Sequence, residues 1–316
     1  MMKKLISILC LLLALSTLLC ACDEVEIEQP AETVKETKAA ETKTEKANTT
    51  EAEKVEEVPA YVNCEGEVVV TPTRLPYMDI PVFKSVAGGN YKYQWTQGGC
   101  VIGNYVYTCM ITDNNTKPTK GCIVVSDIES GEIVKKSAEL ELGHANDVAY
   151  NPDQDILAIA DCNSGNLVHI VDVNSLMLKK TVVLDEFIYS LAYDDVSNKY
   201  IGVGGDGYIR YYTSSFKYVK GVRFSLTEGH AGQGILCDGT YIYMLEYRQQ
   251  LDIATDAINN NLAVDRADTG AKVTLIDLGI NRETEFIGWN DGYFYIGCNN
   301  IKWNGMEFYK VEIVPK

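Results

Sequence analysis

Histidine is scarce in this chain, with three in 316 residues, and the motifs that usually accompany catalytic histidines are missing. There is no HExxH pair, no GxSxG elbow and no cysteine paired in sequence with a histidine. Those absences remove the common signatures of zinc proteases, serine hydrolases and thiol proteases. None of the cysteine spacings is CxxC, so neither a zinc ribbon nor a dithiol redox motif is present. Positive charge is also in deficit, 28 Lys and Arg against 44 Asp and Glu, a formal net charge of −16 with no local basic patch. That balance argues against nucleic acid or an anionic lipid surface as a partner of the folded part. Helical periodicity is almost absent as well.

The first long stretch differs from the rest. Residues 1–22, "MMKKLISILCLLLALSTLLCAC", carry Lys3 and Lys4, then an apolar run without charge, which is the layout of a secretory signal. Its end, "LCAC", resembles the bacterial lipobox, with Leu19 and Ala21 at the recognition positions and Cys22 as the acylated residue. The resemblance implies removal of residues 1–21 and anchoring by acyl chains such as palmitate, each buried methylene contributing roughly 0.8 kcal/mol. It implies a lipoprotein held at the extracytoplasmic face of the cell membrane. Residues 22–58 follow as a tether that has no aromatic residue and, after Cys22, twelve acids against five lysines. Such a segment buries too little apolar surface to offset its ordering entropy, so it reads as a disordered acidic linker. A net charge of −11 is left on residues 59–316, the expected folded domain.

Seven cysteines fall in that domain, an odd number, several inside apolar runs such as "VYTCMI" and "GCIVV". They read as small buried hydrophobes with at most one or two bridges. The surrounding texture is short runs rich in Val, Ile and Tyr, broken by Gly, Asn, Asp and Ser every 8–12 residues, which predicts an all-β fold.

The runs repeat. "NDVAYNPDQDILAIADC" (146–162) lies over "YSLAYDDVSNKYIGVGG" (189–205) without a gap at a shift of 43 residues. The same shift carries Asp147 to Ser190 and then Gln233, and His144 to Phe187 and then His230. "QGGCVIGNYVY" (97–107) matches "QGILCDGTYIY" (233–243), and "ETEFIGWNDGYFY" (283–295) adds a fifth copy. Repeats of this length, holding four short strands, are the mark of propeller blades. The expected architecture is a five-bladed β-propeller closed by an N-terminal strand, residues 80–88 being expected to complete the last blade, because "IPVFKSVAG" is similar to the outer strands "EIVKKSAEL" and "LKKTVVL". Closure leaves no open edge for aggregation. Over roughly 83–316 the chain resembles, in blade texture, the broad group of secreted bacterial propellers with YVTN, NHL or quinoprotein-like repeats. No blade has a WD or kelch signature, so the resemblance implies a fold and no particular activity.

In a propeller the starts of the inner strands converge at one mouth of the central channel. That predicts a site from Trp95, Gln97, His144, Asn146, Tyr189 and Gln233, with Trp303 from the loop "NNIKWNG" (299–305), as ligand-binding residues. Aromatic faces beside amides suit a small molecule, glycan or peptide. An alternative is a hydrolase or lyase, with Asp147, Glu285 and His230 handling protons. Another is a scaffold for envelope proteins acting through an outer edge. Asp147, Glu283 and Glu285, hard oxygen donors, are the expected ligands if calcium is bound. His169, inside "LVHIVDV", reads as structural, and the segment 248–271 as a helical excursion or flap, its acids lacking EF-hand spacing. A monomer is expected.

Overall fold

The computed structural model describes residues 60–64, 66–75, 83–84, 92–93, 95–112, 120–163, 166–248, 259–299 and 306–316. The signal, the linker, Cys22 and Trp303 lie outside the described residues. So do 113–119 and 249–258, two loops expected at the channel mouth.

The architecture is a five-bladed β-propeller with no helix among the described residues. Blade 1 runs Trp95–Ile102, Tyr105–Ile111, Lys120–Asp127 and Ile133–Lys136 from hub to rim. Blade 2 is Asp147–Asn151, Ile156–Ala160, Leu167–Asp172 and Leu178–Val183. Blade 3 is Ser190–Asp194, Lys199–Val203, Tyr208–Thr213 and Tyr218–Arg223, and blade 4 is His230–Cys237, Tyr241–Arg248, Asn259–Arg266 and Lys272–Asp277. Blade 5 takes Glu283–Asn290, Tyr293–Asn299 and Met306–Pro315 from the C-terminal end and its outermost strand, Val68–Arg74, from the N-terminal end. Each inner strand packs against the next, and that of blade 5 against that of blade 1, so the ring closes.

The closing strand corrects the expectation for 80–88. Val68–Arg74 pairs antiparallel along its whole length, from Val68 opposite Pro315 to Arg74 opposite Tyr309. Phe83–Lys84 pairs only with Lys92–Tyr93. The ten-residue last strand needs a long partner, and "VVVTPTR" supplies seven consecutive residues. Pro72 is tolerated because this strand lies at the rim, where a missing N–H faces outward. A second correction concerns 248–271. Asn259–Arg266 is the third strand of blade 4, paired with Tyr241–Arg248 throughout. Its polar start is structural: the buried Asn260 donates Nδ2–H to the Ile280 carbonyl at 2.6 Å.

Five apolar clusters fill the five gaps between blades. Phe286 and Phe308 of blade 5 meet Val106 and Met110 of blade 1, and Tyr200 and Tyr212 of blade 3 meet Ala158 and Ile170 of blade 2. Both faces of every blade are covered this way, which explains near-continuous buried strands such as Ile156–Ala160. Each large side chain fully buried contributes about 1.5–3 kcal/mol. The seven described cysteines are all free; six are buried and Cys162 is half-buried. Val62 and Cys64, ahead of the closing strand, join the cluster between blades 4 and 5.

Candidate functional site: the loop-side mouth of the channel

The hub explains how residues far apart in sequence reach one place. In blades 1, 4 and 5 the inner strand slips out of register with its neighbour, between Thr96 and Gly99, Gly232 and Ile235, and Thr284 and Phe286. The residues in these bulges are Gln97, Gln233 and Glu285. A bulge breaks the ladder and re-aims a side chain, here toward the channel mouth. Gly98 and Gly234 follow two of the bulged residues because neighbouring inner strands touch backbone to backbone. A β-carbon on Gly98 would stand 2.4 Å from the Asp147 Cα, and one on Gly234 2.6 Å from the Phe286 Cα.

Blades 2 and 3 place Asp147 and Ser190 at the matching position without a bulge. Ser190 donates its hydroxyl to the Gln233 carbonyl. Asp147 is 1% exposed, and its carboxylate accepts three backbone N–H groups. Val148 donates to Oδ1 at 2.9 Å, while Leu191 and Ile235 donate to Oδ2 at 2.9 and 3.0 Å. One side chain thereby ties blades 2, 3 and 4 together at the axis. Burial pushes its pKa up to about 8, against the downward pull of the three donors.

Around the mouth is a recess of about 460 Å³. Trp95, Gln97, His144, Asn146, Tyr189, Gln233, Glu283 and Glu285 all line it, so eight of the sequence-predicted residues share one cavity. Asp147 and His230 are not among its lining residues. Of the three groups expected to handle protons, Glu285 alone lines this recess. His144 and His230 both follow a left-handed glycine, Gly143 (φ 62°) and Gly229 (φ 75°). They then diverge: Ala145 is left-handed too (φ 52°) and turns His144 inward, whereas His230 opens the inner strand itself. His230 spends its ring on the Glu228 carbonyl at 3.1 Å and on Asn261 Nδ2 at 3.1 Å. The third histidine, His169, is a core tie, 3.0 Å from Thr181 Oγ1 and 3.3 Å from Asp161 Oδ2.

The polar groups of the recess are held firmly from behind. Thr96 N–H donates to Asn299 Oδ1 at 2.9 Å, and Asn299 donates Nδ2–H to Glu285 Oε1. Gln97 donates Nε2–H to the Thr96 carbonyl, and Asn146 donates Nδ2–H to the Tyr189 carbonyl, both at 2.7 Å. What remains is a set of buried polar atoms with no hydrogen-bond partner among the described residues: Gln97 Oε1, Glu285 Oε2 and the Tyr189 hydroxyl. Gln97 and Glu285 are 3% and 1% exposed. Buried polar atoms are nearly always paired, so such a cluster at a cavity marks a place for a partner.

Electrostatics favours uncharged forms here. Burial, then the nearby Glu283 charge, holds the Glu285 carboxyl well above the ordinary glutamate range, and burial raises Glu283. Burial lowers the His144 pKa, although Asp161 pulls it the other way. Burial and both glutamates push the Tyr247 phenol up to about 12. Among the described residues no Lys or Arg lines the recess. Among the described residues no group of three or more His, Cys, Asp or Glu side chains is placed to hold a metal ion, and Asp147 does not join Glu283 and Glu285.

Tyr247, Asn299, Phe187 and Cys162 also line the mouth; sequence reading expected the loop 299–305 there but singled out none of these four as a site residue. Tyr247 stands opposite Ala231, and Asn299 opposite Glu283. Counting pairs back from the hairpin turns of blades 4 and 5 would have found both.

No protein-family model matches the chain, and no curated protein matches it. Among solved structures the fold is similar to Myxococcus xanthus glutaminyl cyclase, with a TM-score of 0.52 and 14% identity over 75% of this chain and 95% of that one. It is also similar to the tail fibre of Staphylococcus aureus phage P68, with a TM-score of 0.48 and 14% identity over 77% and 52% of the two chains. At these identities the likeness concerns the fold. The fold and the mouth together define the class: a five-bladed propeller whose channel opens into a polar recess.

Proposed function

We propose that the loop-side mouth binds a small, uncharged ligand that both donates and accepts hydrogen bonds, such as an amide- or hydroxyl-bearing part of a peptide or glycan, at the cell surface. The observation that carries this reading is the group of buried atoms without a partner among the described residues, Gln97 Oε1, Glu285 Oε2 and Tyr189 Oη, in one cavity that no described Lys or Arg lines. Trp95, Tyr189 and Tyr247 supply flat apolar faces beside them. Calorimetric titration with small amides, amino sugars and short peptides tests it: binding by the wild type that weakens at least about tenfold in Gln97→Leu supports the reading. Binding unaffected by that change contradicts it.

The membrane anchor through Cys22 belongs to the same reading. Tyr61, at the opposite mouth, stacks on Trp289 at 4.7 Å. Cys22→Ser is expected to release the protein from membranes or stall its processing; unchanged retention contradicts the anchor.

An enzymatic reading has one observation in its favour. Glu285 with a raised pKa and His144 with a lowered one give the cavity a neutral acid and a neutral base together. Hydrolase, lyase and glutaminyl-cyclase assays on wild type and His144→Gln test it, and turnover that survives the substitution excludes His144. Calcium at the mouth would rest on Glu283, Glu285 and amide oxygens, without Asp147. Titrations repeated with and without calcium test that arm.

A further inference from the structure

Blade 3 carries a second recess, of about 280 Å³, lined by none of the residues of the channel mouth. Its floor is set by strand alternation. Tyr208, Arg210 and Tyr212 project from one face of the third strand, with Tyr218 opposite Tyr212 and Gly221 opposite Arg210 on the rim strand. Gly221 keeps the floor open, since a β-carbon there would stand 3.0 Å from the Tyr218 hydroxyl. Asp185 and Glu186, from the connection between blades 2 and 3, and Asp206, from the "GGDG" turn, form the walls.

The charge does not balance. Arg210 Nη1 donates to Asp206 Oδ1 at 2.9 Å and Nη2 to Oδ2, and Glu186 Oε2 is 3.9 Å from Nη2. One guanidinium, committed to Asp206, therefore faces three carboxylates. An acidic rim alone would be ordinary solvated surface. The second observation is Tyr212, which is 2% exposed and whose hydroxyl has no hydrogen-bond partner among the described residues. Tyr212 lines the recess from the same strand face as Tyr208 and Arg210, directly opposite Tyr218. Tyr208 and Tyr218, both exposed, flank it with ring faces.

We propose that this recess binds a primary alkylammonium group, the chemistry shared by a lysine side chain and a free alkyl amine. The ammonium donates to Tyr212 Oη and to Asp185 or Glu186, and its methylenes lie on the rings of Tyr208 and Tyr218. Attraction of the cation to the ring faces adds to the binding. A quaternary ammonium satisfies the rings and the carboxylates but has no N–H for the tyrosine oxygen. The hydroxyl therefore sets the preference.

The test is a titration of the full chain, carrying ring-labelled tyrosine, with n-butylamine, followed by NMR. The expected result is saturable shifts confined to a few tyrosines, with tetramethylammonium about tenfold weaker. Tyr212→Phe is expected to weaken butylamine about tenfold while the fold persists, because the hydroxyl has no partner to lose. Glu186→Gln, at an exposed side chain, is expected to weaken it less. No saturable shift, equal affinity for tetramethylammonium, or an unchanged affinity in Tyr212→Phe each overturns the proposal. Tighter binding of Nα-acetyl-lysine amide than of butylamine assigns a peptide lysine as the source; the reverse assigns a free amine.

Discussion

The two mouths of the channel are built from the same five inner strands and do opposite things. At the loop side the strands begin with Gln97, Asp147, Ser190, Gln233 and Glu285, two of them carrying unpartnered buried atoms. At the other side the same strands end in Val101, Tyr150, Tyr193, Leu236 and Trp289, around a recess of about 300 Å³. There Tyr61 is sandwiched between Trp289, 4.7 Å away and 7° from parallel, and Tyr243, 5.9 Å and 16°. Its N–H donates to Asp238 Oδ2 at 2.9 Å. Among the described residues, one end is packed by aromatic side chains and the other keeps buried polar atoms without partners. Completed packing at one mouth serves stability, and unsatisfied acceptors at the other are the mark of a site for something else.

Mutations should separate the two ends. The largest effect is expected between them, at Asp147→Ala, which strands three buried N–H groups and costs about 3 kcal/mol or more in urea unfolding. Next comes Trp289→Ala, which removes the stack on Tyr61 and is expected to cost about 2 kcal/mol while leaving ligand binding at the loop side unchanged. Glu285→Gln should do the reverse. It keeps an acceptor for Asn299 and removes a carboxyl that resists ionising, so stability near pH 8 is expected to rise by about 1 kcal/mol, with weakened binding. A large loss of stability in Glu285→Gln, or lost binding in Trp289→Ala, breaks the comparison.

The last effect is the pH dependence of the wild type. Asp147 and Glu285 have folded pKa values above their unfolded ones, so the folded state holds more protons than the unfolded state. Their contribution is fully present below about pH 4 and is lost as pH rises, for Asp147 through about 8. His144, with a lowered pKa, acts in the opposite sense, its contribution present above about pH 6.5 and lost as pH falls through the folded value. The melting temperature is therefore expected to decline from pH 6.5 to 8, and less steeply in Glu285→Gln. Parallel profiles for the two proteins would remove Glu285 as the source.

Most of the wheel was legible in the sequence because a gap-free shift of 43 residues fixes the register of blades 2 to 4. Residues 97, 147, 190, 233 and 285 do occupy one position in five blades. The closing strand was not legible, because "VVVTPTR" has Pro72 in its middle and belongs to no complete repeat, whereas "IPVFKSVAG" (80–88) imitates a rim strand. Asn259–Arg266 was hidden by three asparagines that read as loop; two of them are buried at the end of a paired strand. His230 was expected at the same channel mouth as His144 because alignment reports repeat position. Which way a side chain turns depends on one left-handed residue, Ala145, that a repeat comparison does not see.

The most direct test of the account is a crystal structure of the full propeller soaked with a small amide and an amino sugar at high concentration. The account predicts the fragment at the loop-side mouth, hydrogen-bonded to Glu285 Oε2 and donating to Gln97 Oε1. Fragments found only at the opposite recess, or a loop-side mouth that stays unliganded at saturating concentration, would contradict it.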